Sequence, residues 1–162
     1  MKMHTIGTGE YGVMFGEGKL LKTRPLGAGV AVIIQDIKSK TSGLVHVALP
    51  DSHLAPERAR DNPGYFADTA IPILLEAFAD SGLKRDPSDY TVKLVGGANV
   101  IDRHRAFDLG TRVVNAVKET LETCKLKVAA QEVGGRFSRS VTIHVESGEV
   151  EMIAPGRESK FI

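Results

Sequence analysis

One cysteine, no tryptophan and an aromatic share of only 6% set the first limits on this chain. Cys124 alone can form neither an internal disulfide nor a cysteine-based zinc cluster, which fits a reducing compartment. No charge of either sign dominates. Lys and Arg number 21 against 20 Asp and Glu, for a net charge of +1, and the basic residues are scattered, so the footprint of a nucleic-acid partner is missing. Long apolar runs are missing as well: none approaches the roughly 20 residues needed to cross a bilayer, and the N-terminus has no apolar signal region. The expectation is a cytoplasmic protein without membrane insertion. His4, His53 and His104 have no companions at metal-ligand spacing, so no metal is expected. Gly7, Gly9 and Gly12 lack the Gly-Lys-Ser/Thr ending and the following helix of a phosphate loop, and no other cofactor signature occurs.

What is present suffices for one conventional core. A chain of 162 residues without linker or internal repeat reads as a single domain, 1–162. The clearest elements are two apolar strands, Val30 to Asp36 and Gly43 to Leu49, joined by the polar Ile37 to Ser42 in a hairpin-like unit. Before them, Ile6 to Phe15 and Lys19 to Thr23 read as short strands around a tight glycine turn. After Pro50, the charged, proline-containing segment 51–64 reads as a long surface loop of the kind that often serves binding.

Helical spacing follows from Tyr65 to Gly82, with Ala67, Ile71, Leu74, Leu75 and Phe78 on one face; Pro72 favours a start near Thr69, which leaves the proline in the tolerated first turn. Tyr90 to Val95 reads as a strand ending in Gly96-Gly97-Ala98. A second helix begins near Asp108, an N-cap candidate, and turns Leu109, Val113, Ala116, Val117, Leu121 and Cys124 inward. Cys124 is then a small core hydrophobe. Three more strands close the chain before a polar tail, and in Val141 to Val145 the alternation leaves His144 outward. Strands, helix, strand, helix, strands without strict alternation predict an α+β fold of layered mixed or antiparallel sheets flanked by two main helices.

Covalent amide hydrolysis needs a nucleophile on a turn, a base in reach, a group to orient the base, and N–H donors for the oxyanion. Leu26-Gly27-Ala28-Gly29-Val30 supplies a turn at the head of a strand. His46 lies on the next strand, beside that turn if the two strands pair. Thr23 is a candidate orienting hydroxyl. The same residues also suit plainer roles: a hydrogen-bonded strand histidine, a strand-end threonine, and Gly-Gly turns at Gly96-Gly97 and Gly134-Gly135 with positive φ.

These residues resemble the chemoreceptor glutamine deamidases of chemotaxis, the CheD family. Its signature is a threonine, a Leu-Gly-Ser-Cys-Val turn and a His-Val/Phe-Met-Leu-Pro block. Thr23, Leu26-Gly27-Ala28-Gly29-Val30 and His46-Val47-Ala48-Leu49-Pro50 stand at the same spacings. Ile6-Gly7, Gly9-Glu10-Tyr11, Tyr65 with Ala67-Asp68, Gly96-Gly97-Ala98, Gly110 with Arg112, Glu132-Val133-Gly134-Gly135 and Arg139-Ser140 extend the likeness over most of the chain. The resemblance implies a cysteine amidohydrolase that attacks a receptor glutamine amide through its thiolate, releases ammonia, and hydrolyses the thioester with histidine as base. It also implies two partners, the chemoreceptor cytoplasmic domain and a CheC-type phosphatase.

The departures fall on the chemistry. The family's cysteine is Gly29 here, its serine is Ala28, and the asparagine that follows the helix arginine is Val113. Glycine carries no nucleophile, so the expectation is a pseudoenzyme with a vacant position at Gly29, retaining His46 and Thr23 and acting by binding. The alternative is a working deamidase in which Thr23, activated by His46, replaces the thiol, or an active-site variant of such an enzyme.

Overall fold

The computed structural model describes residues 2–83, 86–99 and 108–162; His104 lies outside them. The elements in chain order are β1 (Lys2–Ile6), β2 (Tyr11–Phe15), β3 (Lys19–Thr23), β4 (Val30–Asp36), β5 (Thr41–Val47), α1 (Pro56–Asp61), α2 (Ala67–Asp80), β6 (Thr91–Gly96), α3 (Leu109–Thr123), β7 (Val128–Val133), β8 (Ser140–His144), β9 (Glu149–Ile153) and β10 (Lys160–Phe161). They form two five-stranded sheets, ordered β2-β5-β4-β6-β7 and β1-β3-β8-β9-β10. Each sheet is mixed, with one parallel pair, β6 with β7 and β1 with β3, among antiparallel ones. The expected α+β layering is observed.

β4 explains the arrangement. All of its residues are buried, as are all of β5, because the central sheet is covered on both faces and its strands need no polar side. Val30, Val32 and Ile34 pack with Ile71, Leu74 and Phe78 of α2 and Val113, Val117 and Leu121 of α3. Their neighbours Ala31 and Ile33 point the other way, onto Leu21, Val141 and Ile143 of the second sheet. Two apolar cores therefore sit on either side of one strand, as the period-two geometry of a strand requires.

Several local expectations differ from the structure. β2 and β3 are not a hairpin: β2 pairs with β5 in the central sheet, whereas β3 lies between β1 and β8 in the outer one. The connection 51–64 is folded, with a 3-10 turn at Ser52–Leu54, then α1, then a second turn at Pro63–Tyr65. β5 starts at Thr41, two residues early, and the chain beyond Val47 is held instead by Ala48 and Leu49, whose N–H groups both donate to the Tyr65 carbonyl.

α2 starts at Ala67, not Thr69, so Pro72 lies inside it. The early start is stabilised where Ala70 N–H donates to Phe66 C=O at 2.7 Å, and burial of Ala67, Ala70 and Ile71 outweighs the missing proline donor. The polar tail supplies β10, paired with β9. α3 carries the expected face, with Val114 added and Cys124 half-buried at its end; burial pushes the thiol's pKa up, which keeps it inert.

Candidate functional site at the Leu26 to Val30 turn

The turn is laced on two sides. Leu26 N–H donates to Arg139 C=O at 2.7 Å, and Arg139 N–H donates back to Leu26 C=O at 3.3 Å. On the other side, Gly97 N–H donates to Gly29 C=O and Ala98 N–H to Gly27 C=O, each at 2.9 Å. Gly96 and Gly97 hold φ of 116° and 66°, backbone that a side chain resists, so the Gly-Gly pair is required for β6 to leave the sheet around the turn. The second Gly-Gly pair, Gly134 and Gly135, is also left-handed. It joins the assembly when Gly134 N–H donates to Gly96 C=O and Asn99 N–H to Gly135 C=O. Asn99 also caps α3, its Oδ1 accepting from Gly110 N–H at 2.9 Å. Asp108 takes the N-cap position in left-handed backbone but makes no side-chain cap bond there.

His46 reaches the turn as strand pairing demands. β4 and β5 are antiparallel with Ala31 opposite His46, and period two sends His46 to the same side as Leu44, between the two sheets. It is 5% exposed, and Nδ1 has no hydrogen-bond partner among the described residues. Burial lowers its pKa to about 4, so the imidazole is neutral at ordinary pH. The ring lies against Gly29: a Cβ built there would stand 2.6 Å from Nε2, 3.0 Å from Cδ2 and 2.9 Å from Val47 O. The position that lacks a side chain is thus closed by its neighbour's ring.

Thr23, 3% exposed at the end of β3, also faces the layer between the sheets, in phase with Leu21. Its Oγ1 accepts from Val141 N–H at 3.0 Å, and no hydrogen bond joins it to His46 among the described residues. The arrangement holds a neutral imidazole against a backbone turn, with the threonine hydroxyl bonded to another strand.

Arg139 is a site residue whose role the sequence did not reveal. Only 3% exposed, it donates through Nη1 to Glu132 C=O at 2.6 Å and through Nη2 to Gly134 C=O. One guanidinium thereby ties the end of β7 to Arg139, the residue before β8 that bridges Leu26. The available signal was the Arg139-Ser140 pair that follows Gly134-Gly135 in the likeness to the family.

The fold also brings together a group of side chains that are apart in sequence. Ligand atoms of Asp51, His53 and Asp68 lie within 4.8 Å of one another, because residue 68 opens α2 beside the 3-10 turn. Their atoms already serve that turn: Asp51 Oδ1 accepts from His53 N–H at 2.8 Å and meets its Nδ1 at 2.7 Å, and Asp68 Oδ1 accepts from Ser52 N–H at 2.9 Å. The hydrogen bond to Asp51 raises the pKa of His53. An open groove of about 550 Å³ runs from here past Pro50 to Arg112 and Asn115 of α3. His4 is exposed and His144 half-buried.

Comparison with known proteins identifies the family. A family model described as CheD chemotactic sensory transduction matches residues 48–153. The chain is 39% identical over 152 residues to a probable chemoreceptor glutamine deamidase CheD of Syntrophotalea carbinolica, covering 94% of each chain. It is 37% identical over 145 residues to the chemoreceptor glutamine deamidase CheD of Thermotoga maritima, covering 90% of this chain and 87% of that one. To the probable CheD of Methanococcus maripaludis strain C6 it is 36% identical over 138 residues, covering 85% and 86%. Among the described residues no helix is long and apolar enough to cross a membrane. With its glycine-laced turn, its buried histidine and this likeness along nearly its whole length, the chain belongs to the CheD family of chemotaxis proteins.

Proposed function

We propose that this chain acts in the cytoplasm as a single CheD-like domain, 1–162, and regulates chemotaxis by binding without deamidating. Its partners are the chemoreceptor cytoplasmic domain and a CheC-type phosphatase. The observation that carries this reading is the contact between His46 and Gly29. A covalent amidase needs an attacking atom beside its base; here the place of that atom is backbone, and the imidazole ring occupies the space in front of it. His46 and Thr23 are then retained elements of a site without its nucleophile at Gly29.

The rival reading uses Thr23 as nucleophile, activated by His46. Against it stands the hydrogen bond that Thr23 Oγ1 already accepts from Val141, and an activated hydroxyl needs its base in direct contact. The test combines two measurements on the purified chain with a receptor cytoplasmic fragment carrying target glutamines. Ammonia release is expected to stay at background while the fragment, and separately the phosphatase, are retained in a pull-down. Turnover that disappears in Thr23→Ala would replace this reading with the rival, and retention of neither partner would remove the binding function.

A further inference from the structure

The outer sheet is covered on one face only. Leu21, Val141, Ile143, Val150 and Met152 point into the layer shared with β4, whereas α2 and α3 pack on the far side of the central sheet. By the period of two, the alternate residues of β1, β3, β8, β9 and β10 make a second face, and none of them is buried. Strand register fixes what this face carries. One row crosses all five strands as Thr5, Lys22, Thr142, Glu151 and Phe161. Met3, Ile153 and Phe161 stand on the same face at 56%, 40% and 56% exposure, so apolar side chains gather where the sheet has no cover.

The charges of that row are balanced about its centre. Lys22 lies one strand to one side of Thr142 and Glu151 one strand to the other. The two are therefore about 10 Å apart, twice the strand spacing, too far to pair within the chain. Neither forms an ion pair elsewhere among the described residues. A two-fold axis along β8, in the plane of contact, exchanges the two sides of the row. It sets Lys22 opposite Glu151 of a second copy and Glu151 opposite that copy's Lys22, while Thr5 meets Phe161. The row is its own complement, as an isologous contact requires. Sheets that pack face to face keep their strands within about 30° of each other, which is compatible with an axis along the strands.

We propose that the uncovered face of the outer sheet is a dimer interface, on which a second copy of this chain packs face to face with Lys22 and Glu151 paired across the two-fold axis. A patch of five short strands is at the low end of interface sizes, so the dimer is weak and reversible. The inference is independent of the receptor-binding reading, because α2, α3 and their groove lie on the opposite side of the molecule and stay open.

The test is sedimentation equilibrium of the full chain over a wide concentration range at low salt. The parent chain is expected to show a monomer–dimer equilibrium that weakens as salt rises. Lys22→Glu alone, or Glu151→Lys alone, should weaken it by about tenfold or more, because each sets two like-charged pairs across the axis. An equimolar mixture of the two variants should dimerise again, since one chain then meets the other with both pairs of opposite charge. The double variant Lys22→Glu with Glu151→Lys should dimerise as well, which separates loss of pairing from loss of folding. A parent chain that stays monomeric overturns the inference, as does a dimer indifferent to the reversals or a mixture that stays monomeric. Should the reversals instead weaken retention of the receptor fragment or the phosphatase by a monomeric chain, the face belongs to that partner; the inference is then overturned and the receptor-binding reading stands.

Discussion

The imidazole of His46 packs so closely on Gly29 that a single carbon atom added to the glycine would stand 2.6 Å from Nε2. Gly29 has ordinary backbone, since its φ lies outside the left-handed region, so the constraint comes from space alone. The contact joins the two residues on which the proposed function turns, and it makes their fates interdependent.

Gly29→Ala is therefore expected to lose about 1–3 kcal/mol of stability through overpacking, measured by urea unfolding. In the His46→Ala background the same change should cost less, because the ring is gone and only the Val47 carbonyl, 2.9 Å from the new Cβ, still stands in its way. A cycle that closes additively, within about 0.5 kcal/mol, would mean the ring already has room to withdraw.

Restoration of the chemistry follows the same geometry. In Ala28→Ser with Gly29→Cys, the ring must retreat by about 1 Å to reach ordinary contact with the new Cβ, which leaves the thiol beside a base. Slow ammonia release from a receptor fragment is expected, absent in the parent chain and absent again when His46→Ala is added. Release that persists without His46 would assign the base to another group.

The pH dependence of stability carries the signature of His46. Its pKa is about 4 in the folded chain against 6.5 for an unburied imidazole. Between those values the unfolded chain takes up the proton and the folded chain does not. Stability therefore falls as pH drops from about 6.5 to about 4, by about 3 kcal/mol in all, and this group adds no slope above or below that window. Urea unfolding at intervals between pH 7 and 4 should show this slope, and His46→Gln should flatten it. In an NMR titration His53, raised by Asp51, should titrate above the ordinary imidazole value and His46 below it.

Arg139→Met tests the clamp on the turn. The thioether fills much of the volume but leaves the carbonyls of Glu132 and Gly134 without their donor, for a loss of about 2–4 kcal/mol. Amide exchange should quicken at Gly97 and Ala98, whose N–H groups hold the turn. Unchanged exchange there would show that the β7–β8 connection is braced independently.

Much of the layout was legible because it rests on local rules. The run Val30 to Asp36 read as a buried strand and is buried throughout, since apolar continuity reports cover on both faces. Val113, Val117 and Leu121 were found by helical period, and the positive φ of Gly96, Gly97, Gly134 and Gly135 by residue type. The errors are of another kind. Lys19 to Thr23 followed its strand neighbour closely in sequence yet pairs in the other sheet, and Pro72 was placed by propensity where tertiary burial of Ala67 prevailed.

The sequence alone established that position 29 has no nucleophile and that a histidine lies one strand away, because the identity of a side chain is complete without a fold. Only the tertiary structure decided that the imidazole of His46 occupies the space in front of Gly29, that Thr23 bonds to Val141, and that a buried Arg139 underlies the turn. Those outcomes depend on which strands meet and how side chains divide a shared volume. Such long-range packing is not encoded in the period of any single segment.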